Sequence, residues 1–240
     1  MVSYTKYIDL EVFEGEISKH QYPWHFHNCY TLIIVQKGSI LYEFQDKSIK
    51  VDEGEALLIE PFKVHKNIIS QITVYKALFI PQKYFEGAGQ NKIVTLKINH
   101  PNVVDIMADL RNKIEINYSK RELNDLFSEL CELINQPPIE PDENPPSTIN
   151  IVPKINYDLT IKELAEEAHL SKFHFQRKFK KTCGLTIGQL KQQEKTTAAK
   201  KLLENGKLST DVAYELGFFD QSHFIKYFKK MWATTPKNFK

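Results

Sequence analysis

Cysteine and long apolar runs are both scarce in this chain. The three cysteines, Cys29, Cys131 and Cys183, are scattered and odd in number, which argues against a disulfide framework and predicts a reducing cytoplasm. The longest apolar stretches, such as Leu32–Val35 and Ala56–Ile59, are far too short to span a bilayer. No apolar run follows a basic start, so we expect no signal peptide and no membrane partner.

The motifs of several enzyme classes are missing as well. The chain has no glycine-rich nucleotide-binding loop and no nucleophile motif, so we predict no cofactor, no catalytic residues and no enzyme activity. A hydrophobic content of 42% and a charged content of 26% are ordinary for a globular protein. A length of 240 residues allows one or two domains.

Charge is divided unevenly along the chain. Residues 148–240 carry 17 Lys and Arg against 9 Asp and Glu, a net charge of +8, whereas residues 1–147 carry 15 against 21, a net charge of −6. A basic half beside an acidic half suggests a polyanionic partner for one half only. The alternative at this point is a lysine-rich surface that contacts only solvent.

The first 98 residues have the pattern of a small β-barrel or sandwich. Short β-branched and aromatic runs alternate with turn residues such as Lys37–Ser39 and Asp52–Gly54. The strands predicted from these runs are Tyr30–Val35, Ile40–Phe44, Ile49–Val51, Ala56–Ile59 and Ile72–Ile80. We therefore assign residues 1–98 to one β domain.

Residues 99–135 change to helical periodicity. Two amphipathic segments, which separate near Asn117–Ser119, repeat apolar residues at intervals of four and three, and this predicts a helical hairpin. The apolar stripes need a partner, either the barrel or a second protomer, and the spacing favours a coiled-coil-like contact in a homodimer. The residues predicted to form this contact are Val103, Met107, Leu110, Ile114, Leu123, Phe127, Leu130 and Ile134.

Residues 136–148 mark a domain boundary. This segment contains five prolines, and proline fixes φ, removes a hydrogen-bond donor and restrains the preceding residue, so no helix or sheet core passes through it. We predict a semi-extended linker here, followed by an all-α domain at residues 149–240. The predicted fold class is therefore α+β with two domains.

Two short units of the C-terminal domain each have the pattern of a helix-turn-helix. In the first unit, Thr160 and Glu163 have the spacing of a capping box, and Ser171 can cap the second helix. Phe175 and Phe179, four residues apart, give that second helix a core face. Its outer face is polar, basic and aromatic, as in a DNA-recognition helix.

The second unit repeats this arrangement to within one residue. Gly217 supplies the turn, because glycine adopts positive φ without strain, and Asp220 can cap the next helix. Phe224 and Phe228 form the core face. A long helix, predicted at Ile187–Asn205, lies between the units and would hold the two recognition helices about 34 Å apart, so that they enter successive major grooves.

Two spaced signatures cover the C-terminal domain. The first is Ser171–Lys181 with Gly184, and the second combines Gly217-Phe218, Asp220–Phe224, Phe228–Lys230 and Thr235-Pro236. Together they resemble the AraC/XylS family of bacterial transcription regulators. The resemblance implies promoter DNA as the partner, and RNA polymerase also if the protein is an activator. The residues that it places against the bases are Phe173, Gln176, Arg177, Gln221, Ser222, His223 and Lys226.

Arginine and lysine are expected to act differently at that interface. Arg177, the single arginine of the C-terminal domain, can contact guanine O6 and N7 together, which gives about 1–3 kcal/mol of discrimination between bases; a surface salt bridge is the alternative. The residues predicted to contact phosphates are Ser171, Lys172, Lys180, Lys181, Lys229 and Lys230. The chain departs from the family at Ile187, where proline is frequent, and at Ala233, where glycine is usual.

A histidine-containing segment, Trp24–His27, precedes the strand that begins at Tyr30, and Gly54-Glu55, Pro61 and His65 follow it. This order resembles the cupin-like sensor domain of many AraC-type regulators. Metal-dependent cupins join a His-x-His pair to a glutamate and a later histidine, but Thr31 takes the place of the glutamate, so we predict no metal site. The residues predicted to line an effector pocket are His25, His27, Tyr42, Phe44 and His65.

The sequence thus predicts a cytoplasmic, sequence-specific transcription regulator. Its barrel would bind a small-molecule effector, or its hairpin would pair two protomers, and either event would change how the recognition helices meet DNA. Two alternatives stay open. One is a metal-dependent cupin enzyme with a DNA-binding tail, and the other is a ligand-independent DNA-binding protein, which would show little base specificity.

Overall fold

A computed structural model describes residues 2–7, 9–85, 95–98 and 159–239. Strands occupy the N-terminal part and helices the C-terminal part, so the predicted α+β class with two domains is confirmed. The predicted hairpin at 99–135, with its eight dimer-contact residues, and the linker at 136–148 lie outside the described residues. Within the described ranges, no helix has both the length and the apolar character needed to cross a membrane.

The N-terminal domain consists of two antiparallel sheets that share one core. The larger sheet has the strand order β1-β2-β9-β4-β7-β10 and the smaller has the order β3-β8-β5-β6. Their bounds are β1 Val2–Tyr7, β2 Leu10–Ile17, β3 His20–Gln21, β4 Tyr30–Lys37, β5 Ser39–Glu43, β6 Ser48–Asp52, β7 Ala56–Ile59, β8 Lys66–Ile69, β9 Thr73–Ile80 and β10 Leu96–Ile98.

The core between the sheets is aliphatic and aromatic. Phe13 and Ile33 come from the larger sheet, Ile40 and Val51 come from the smaller, and all four are almost completely buried. Burying one such side chain contributes about 1.5–3 kcal/mol to folding. The predicted turns are also present, because Gly38 and Gly54 have φ values of 83° and 79°.

All five predicted strands are present, and Ala56–Ile59 agrees residue for residue with β7. Strands β1, β2, β3, β8 and β10 were not predicted from the sequence. In β2 the reason is visible, because charged residues break its apolar pattern on one face. Glu14, for example, forms an ion pair with Lys76 of β9 at 2.7 Å.

The described part of the C-terminal domain has five α-helices and a short 3-10 helix at Pro236–Asn238. The α-helices are α1 Ile161–Glu167, α2 Lys172–Cys183, α3 Ile187–Glu204, α4 Ser209–Glu215 and α5 Gln221–Trp232. Helices α1 and α2 form one helix-turn-helix, α4 and α5 form the other, and α3 joins them. The predicted capping box of α1 is present, since Thr160 Oγ1 accepts from the Glu163 N–H and the Glu163 carboxylate accepts from the Thr160 N–H. Ser171 and Asp220 cap α2 and α5 as predicted.

The two domains are in direct contact. Phe26 and Val64 of the barrel lie in one apolar cluster with Leu164 of α1, Phe179 of α2 and Leu190 of α3. On the other side of the interface, the Tyr4 ring lies 5.7 Å from the ring of Trp232 at the end of α5. The barrel therefore contacts both helix-turn-helix units.

Candidate nucleic-acid interface and signal-binding cavity

Helix α2 presents the first candidate DNA-binding face. Its first turn is closed by Ser171, whose Oγ accepts from the His174 N–H at 3.3 Å. Phe173 is 78% exposed, Arg177 is exposed and Gln176 is half-buried. Phe173 and Arg177 are four residues apart, so they lie on the same exposed face of the helix.

Helix α5 presents the second face. Gln221, Ser222, His223 and Lys226 are all exposed. The Gln221 side chain donates to Ser209 Oγ at 2.8 Å. The His223 ring lies 4.7 Å from the ring of Tyr227, measured between centroids, and this contact orients it. Beneath these residues, Phe224 and Phe228 are fully buried, which places α5 with its polar residues outward.

The residues predicted to contact phosphates also lie on the surface. Lys180 and Lys181 occupy the last turn of α2, and Lys229 and Lys230 the last turn of α5. Lysines in that position interact favourably with the negative end of the helix dipole, so they do not weaken the helices that carry them. Ser171 and Lys172, at the start of α2, are exposed as well.

A cavity of about 80 Å³ lies beside three histidines of the barrel, and Gln193 and Trp232 of the C-terminal domain complete its wall. His25, His27, Tyr42 and His65, which were predicted to line an effector pocket, all line this cavity. Phe44 lies behind them in the core, with its ring centroid 6.0 Å from that of His65.

Backbone pairing fixes two of the histidines. His25 and His65 exchange two hydrogen bonds, with N···O distances of 2.8 and 2.9 Å, as an isolated antiparallel pair. The His27 carbonyl accepts from the N–H of Phe62, whose φ of 62° lies in the left-handed region. The ring centroids of His25 and His65 lie 4.4 Å apart, and His27 lies 5.0 Å from His25 and 5.5 Å from His65.

Burial controls the ionisation of these groups. It lowers the pKa of His25 to about 4, and it holds the pKa of His65 well below the ordinary value. The pKa of His27 is also lowered well below that value, first by burial and then by the neighbouring histidines and Lys200. All three imidazoles are therefore neutral at neutral pH.

Two tyrosines and a threonine of the barrel wall line the same cavity as these rings. Tyr22 and Tyr75 share a hydrogen bond of 2.7 Å between their hydroxyl groups, and burial raises the pKa of both. Thr31 Oγ1 lines the same cavity, is buried, and has no hydrogen-bond partner among the described residues.

A larger cavity of about 470 Å³ lies between the mouth of the barrel and α3. Its wall includes Phe26, His27 and Cys29 of the barrel, and Gln193 and Lys200 of α3. Phe26, His27 and Gln193 line both cavities, so the two spaces adjoin. Residues of both domains line each cavity, so a ligand in either cavity would contact both domains.

Lys200 is a buried cation at this interface. Its ammonium group forms an ion pair with Glu11 of β2 and lies 4.5 Å from the ring centre of Trp232 and 4.8 Å from that of Tyr4. Burial lowers the pKa of Lys200, and the Glu11 carboxylate opposes that shift. Ion pairing and aromatic contact together offset the cost of removing this charge from water.

Sequence reasoning missed Gln193 and Lys200. Both lie on the buried face of α3, seven residues apart and thus two helical turns from each other. A glutamine or a lysine in a helix is ordinarily a surface residue, so its type gave no signal. These two side chains are buried because the barrel packs against α3.

Two family models match the chain. One describes an AraC-like ligand binding domain and matches residues 7–138, more than half of the chain. The chain belongs to the AraC family of transcription regulators. The second model, a helix-turn-helix domain, matches residues 164–240 of this AraC-family regulator. These matches confirm the predicted resemblance, with its cupin-like N-terminal domain and its DNA-binding C-terminal domain.

Curated relatives match this AraC-family regulator over most of its length. An uncharacterized helix-turn-helix transcriptional regulator of Bacillus subtilis, YbfI, is 26% identical over 240 residues, covering 90% of this chain and 86% of the relative. The transcriptional activator RhaS of Escherichia coli is 22% identical over 258 residues, covering 94% and 90%. These relatives are transcription regulators.

Solved structures of ToxT from Vibrio cholerae share the fold. One is 16% identical, covers 95% of both chains and has a TM-score of 0.59. A second, with unsaturated fatty acid bound, is 15% identical, covers 98% of this chain and 95% of ToxT, and has a TM-score of 0.60. At this level of identity the likeness concerns the fold alone.

Proposed function

We propose that this regulator reads two successive major grooves, one with α2 and the other with α5. Each helix begins with a side-chain cap, presents an exposed polar face and carries two lysines in its last turn. This repeat is the observation that carries the proposal. The 18-residue α3 joins the units as one continuous helix, and a rigid spacer suits two helices that must enter grooves about 34 Å apart.

In this proposal each recognition helix carries one group of residues that provides specificity and another that provides affinity. The residues assigned to base contacts are Phe173, Gln176, Arg177, Gln221, Ser222, His223 and Lys226, all of which are exposed or half-buried. The residues assigned to phosphate contacts are Ser171, Lys172, Lys180, Lys181, Lys229 and Lys230. Phosphate contacts set the position of the protein on the duplex, whereas base contacts carry the sequence information.

The barrel is proposed to control DNA binding. A small-molecule effector in the cavities beside Phe26 and Gln193 would alter the contact between the barrel and α3. Dimerisation through residues 99–135 is the second route that we propose. ToxT binds an unsaturated fatty acid, and the larger cavity, with Phe62 and Phe79 in its wall, is the place where we would look for a comparable amphipathic ligand.

We also propose that the chain is not an enzyme and that it acts in the cytoplasm. The first point is supported by its relatives, which are transcription regulators that match over nine-tenths of the chain. The second follows from a DNA target. Contact with RNA polymerase is expected if the regulator is an activator.

A random-oligonucleotide selection with the full-length chain tests the proposal. We expect wild type to enrich a motif that spans about two helical turns, and Arg177→Ala to lose preference at one position of it, by about 1–3 kcal/mol. Lys178→Ala, an exposed neighbour with no assigned contact, should keep the whole motif. Failure of wild type to enrich any motif, with and without added cell extract as a source of effector, would contradict the proposal.

A further inference from the structure

Three histidines converge at the mouth of the barrel. One ring nitrogen from each of His25, His27 and His65 lies within 4.8 Å of the other two. His25 and His65 are 6% and 2% exposed, so this is an enclosed cluster and not a chance grouping on the surface. Imidazole nitrogen is a preferred ligand of zinc, copper, iron and nickel ions.

Backbone carbonyls hold two of the rings in the form that binds metal. His25 Nδ1 lies 2.8 Å from the Pro23 carbonyl, and His65 Nδ1 lies 2.8 Å from the Lys63 carbonyl. A carbonyl only accepts, so each Nδ1 carries the proton and donates it. The lone pair of each ring is then on Nε2, directed away from that carbonyl. Such a carbonyl behind the imidazole is the usual support of a metal-binding histidine.

The cavity leaves room for a further ligand. Thr31 Oγ1 lines it, is buried, and has no hydrogen-bond partner among the residues that the structure describes. Three histidine ligands leave one position of a tetrahedral ion open. A water or hydroxide can fill that position, because a cavity of about 80 Å³ is large enough to hold it.

We propose that His25, His27 and His65 bind a divalent first-row transition metal ion, such as Zn²⁺, and that this ion is a signal that the barrel passes to the DNA-binding domain. The signalling role rests on the proposed function, whereas the metal site does not. The sequence prediction of no metal rested on the loss of a glutamate at Thr31. The structure nevertheless brings three histidine nitrogens together without that carboxylate.

Metal binding would act directly on the domain interface. Nitrogen ligands around a tetrahedral zinc ion lie roughly 3.3 Å apart, given Zn–N bonds of about 2.0–2.1 Å, and the three histidine nitrogens already lie within 4.8 Å of one another. A bound ion would hold all three nitrogens at one fixed separation. Phe26, between His25 and His27, has both backbone polar groups hydrogen-bonded to Gln193 of α3. Val64, next to His65, lies in the same apolar cluster as α1 and α2.

Cobalt titration of the full-length, EDTA-treated protein tests the site itself. We expect saturable binding of one equivalent of Co²⁺ with visible d–d absorption bands that Zn²⁺ abolishes. His27→Ala, at the less buried histidine, and His65→Asn should each weaken binding at least tenfold with unchanged circular dichroism. His20→Ala, outside the cluster, should bind like wild type. The absence of stoichiometric binding, or equal binding by wild type and His27→Ala, would overturn the metal site.

Operator affinity with and without Zn²⁺ tests the signal. We expect the ion to change the affinity of wild type for its selected operator by about 5- to 150-fold, the usual range of coupling between two sites, and to leave that of His27→Ala unchanged. Equal wild-type affinities with and without the ion would overturn the signalling role. If Co²⁺ binds and no operator is enriched, the metal site stands and the proposed function fails. If an operator is enriched and Co²⁺ does not bind, the proposed function stands and the metal site fails.

Discussion

Gln193 of α3 forms a two-point hydrogen bond with the backbone of Phe26 in the barrel. Its Nε2 donates to the Phe26 carbonyl at 2.8 Å, and its Oε1 accepts from the Phe26 N–H at 3.3 Å. The glutamine amide thus pairs with a loop as a neighbouring strand would. It joins the histidine-bearing loop to the helix that connects the two helix-turn-helix units.

Replacement of Gln193 by leucine is expected to destabilise the docked protein by about 1–3 kcal/mol, because two buried backbone groups lose their partner. Urea denaturation of the full chain measures this change. Gln192→Leu is the matched control, since Gln192 Nε2 is buried without a partner among the described residues, and its replacement should be neutral or stabilising. Equal losses for the two variants would contradict the role assigned to Gln193.

The turns of the two helix-turn-helix units predict opposite effects of glycine and alanine. His169 and Gly217 occupy equivalent positions after α1 and α4, with φ values of 52° and 63°. In both units the next N–H closes the turn, Leu170 to the Ala165 carbonyl and Phe218 to the Ala213 carbonyl, each at 2.9 Å. Sequence reasoning predicted the turn residue in the second unit, but a histidine gave no such signal in the first.

We expect His169→Gly to stabilise the protein by up to about 1 kcal/mol and Gly217→Ala to destabilise it by about 1 kcal/mol, because left-handed backbone is costly for residues with a Cβ. Space does not explain the second effect, since a Cβ at Gly217 would lie 3.6 Å from Lys195 Nζ, an ordinary contact. Thermal unfolding of the two variants measures the difference. The same sign of change in both would show that the turns are not equivalent.

Buried tyrosines predict loss of stability at alkaline pH. Burial raises the pKa of Tyr22, Tyr42 and Tyr75 above the ordinary value. The folded state therefore holds more protons than the unfolded state above about pH 10, and stability falls as the pH rises past that value. The ultraviolet absorbance of tyrosinate from these residues should appear together with the loss of circular dichroism. Their ionisation in a fully folded barrel would contradict this expectation.

Lys180→Ala is expected to weaken DNA binding without changing its sequence preference. Lys180 is exposed in the last turn of α2, and loss of one phosphate contact should reduce the slope of log affinity against log salt by about 0.9. Binding measured at several salt concentrations, on the selected motif and on a scrambled duplex, gives this slope. An altered base preference would place Lys180 at the bases instead.

The extent to which the sequence predicts the structure differs between the domains. The helix-turn-helix units depend on local signals, namely side-chain caps at Thr160, Ser171 and Asp220 and a turn glycine at Gly217, and each was confirmed. In the barrel, five of the ten described strands were missed, among them the eight-residue β2. Pairing between strands distant in the chain decides them, and β2 lies between β1 and β9 for that reason.

By itself, the sequence determined the two classes of secondary structure, the repeated DNA-binding unit and the histidines of the barrel, because periodicity, caps and turn residues act over a few neighbours. Only the tertiary structure decided how the histidines are used. It pairs His25 with His65, turns their Nδ1 atoms toward backbone carbonyls and brings Thr31 to the same cavity. It also buries Gln193 and Lys200 against the barrel, 167 and 189 residues along the chain from their partners Phe26 and Glu11. Contacts across such separations depend on the packing of whole domains, which no local pattern records.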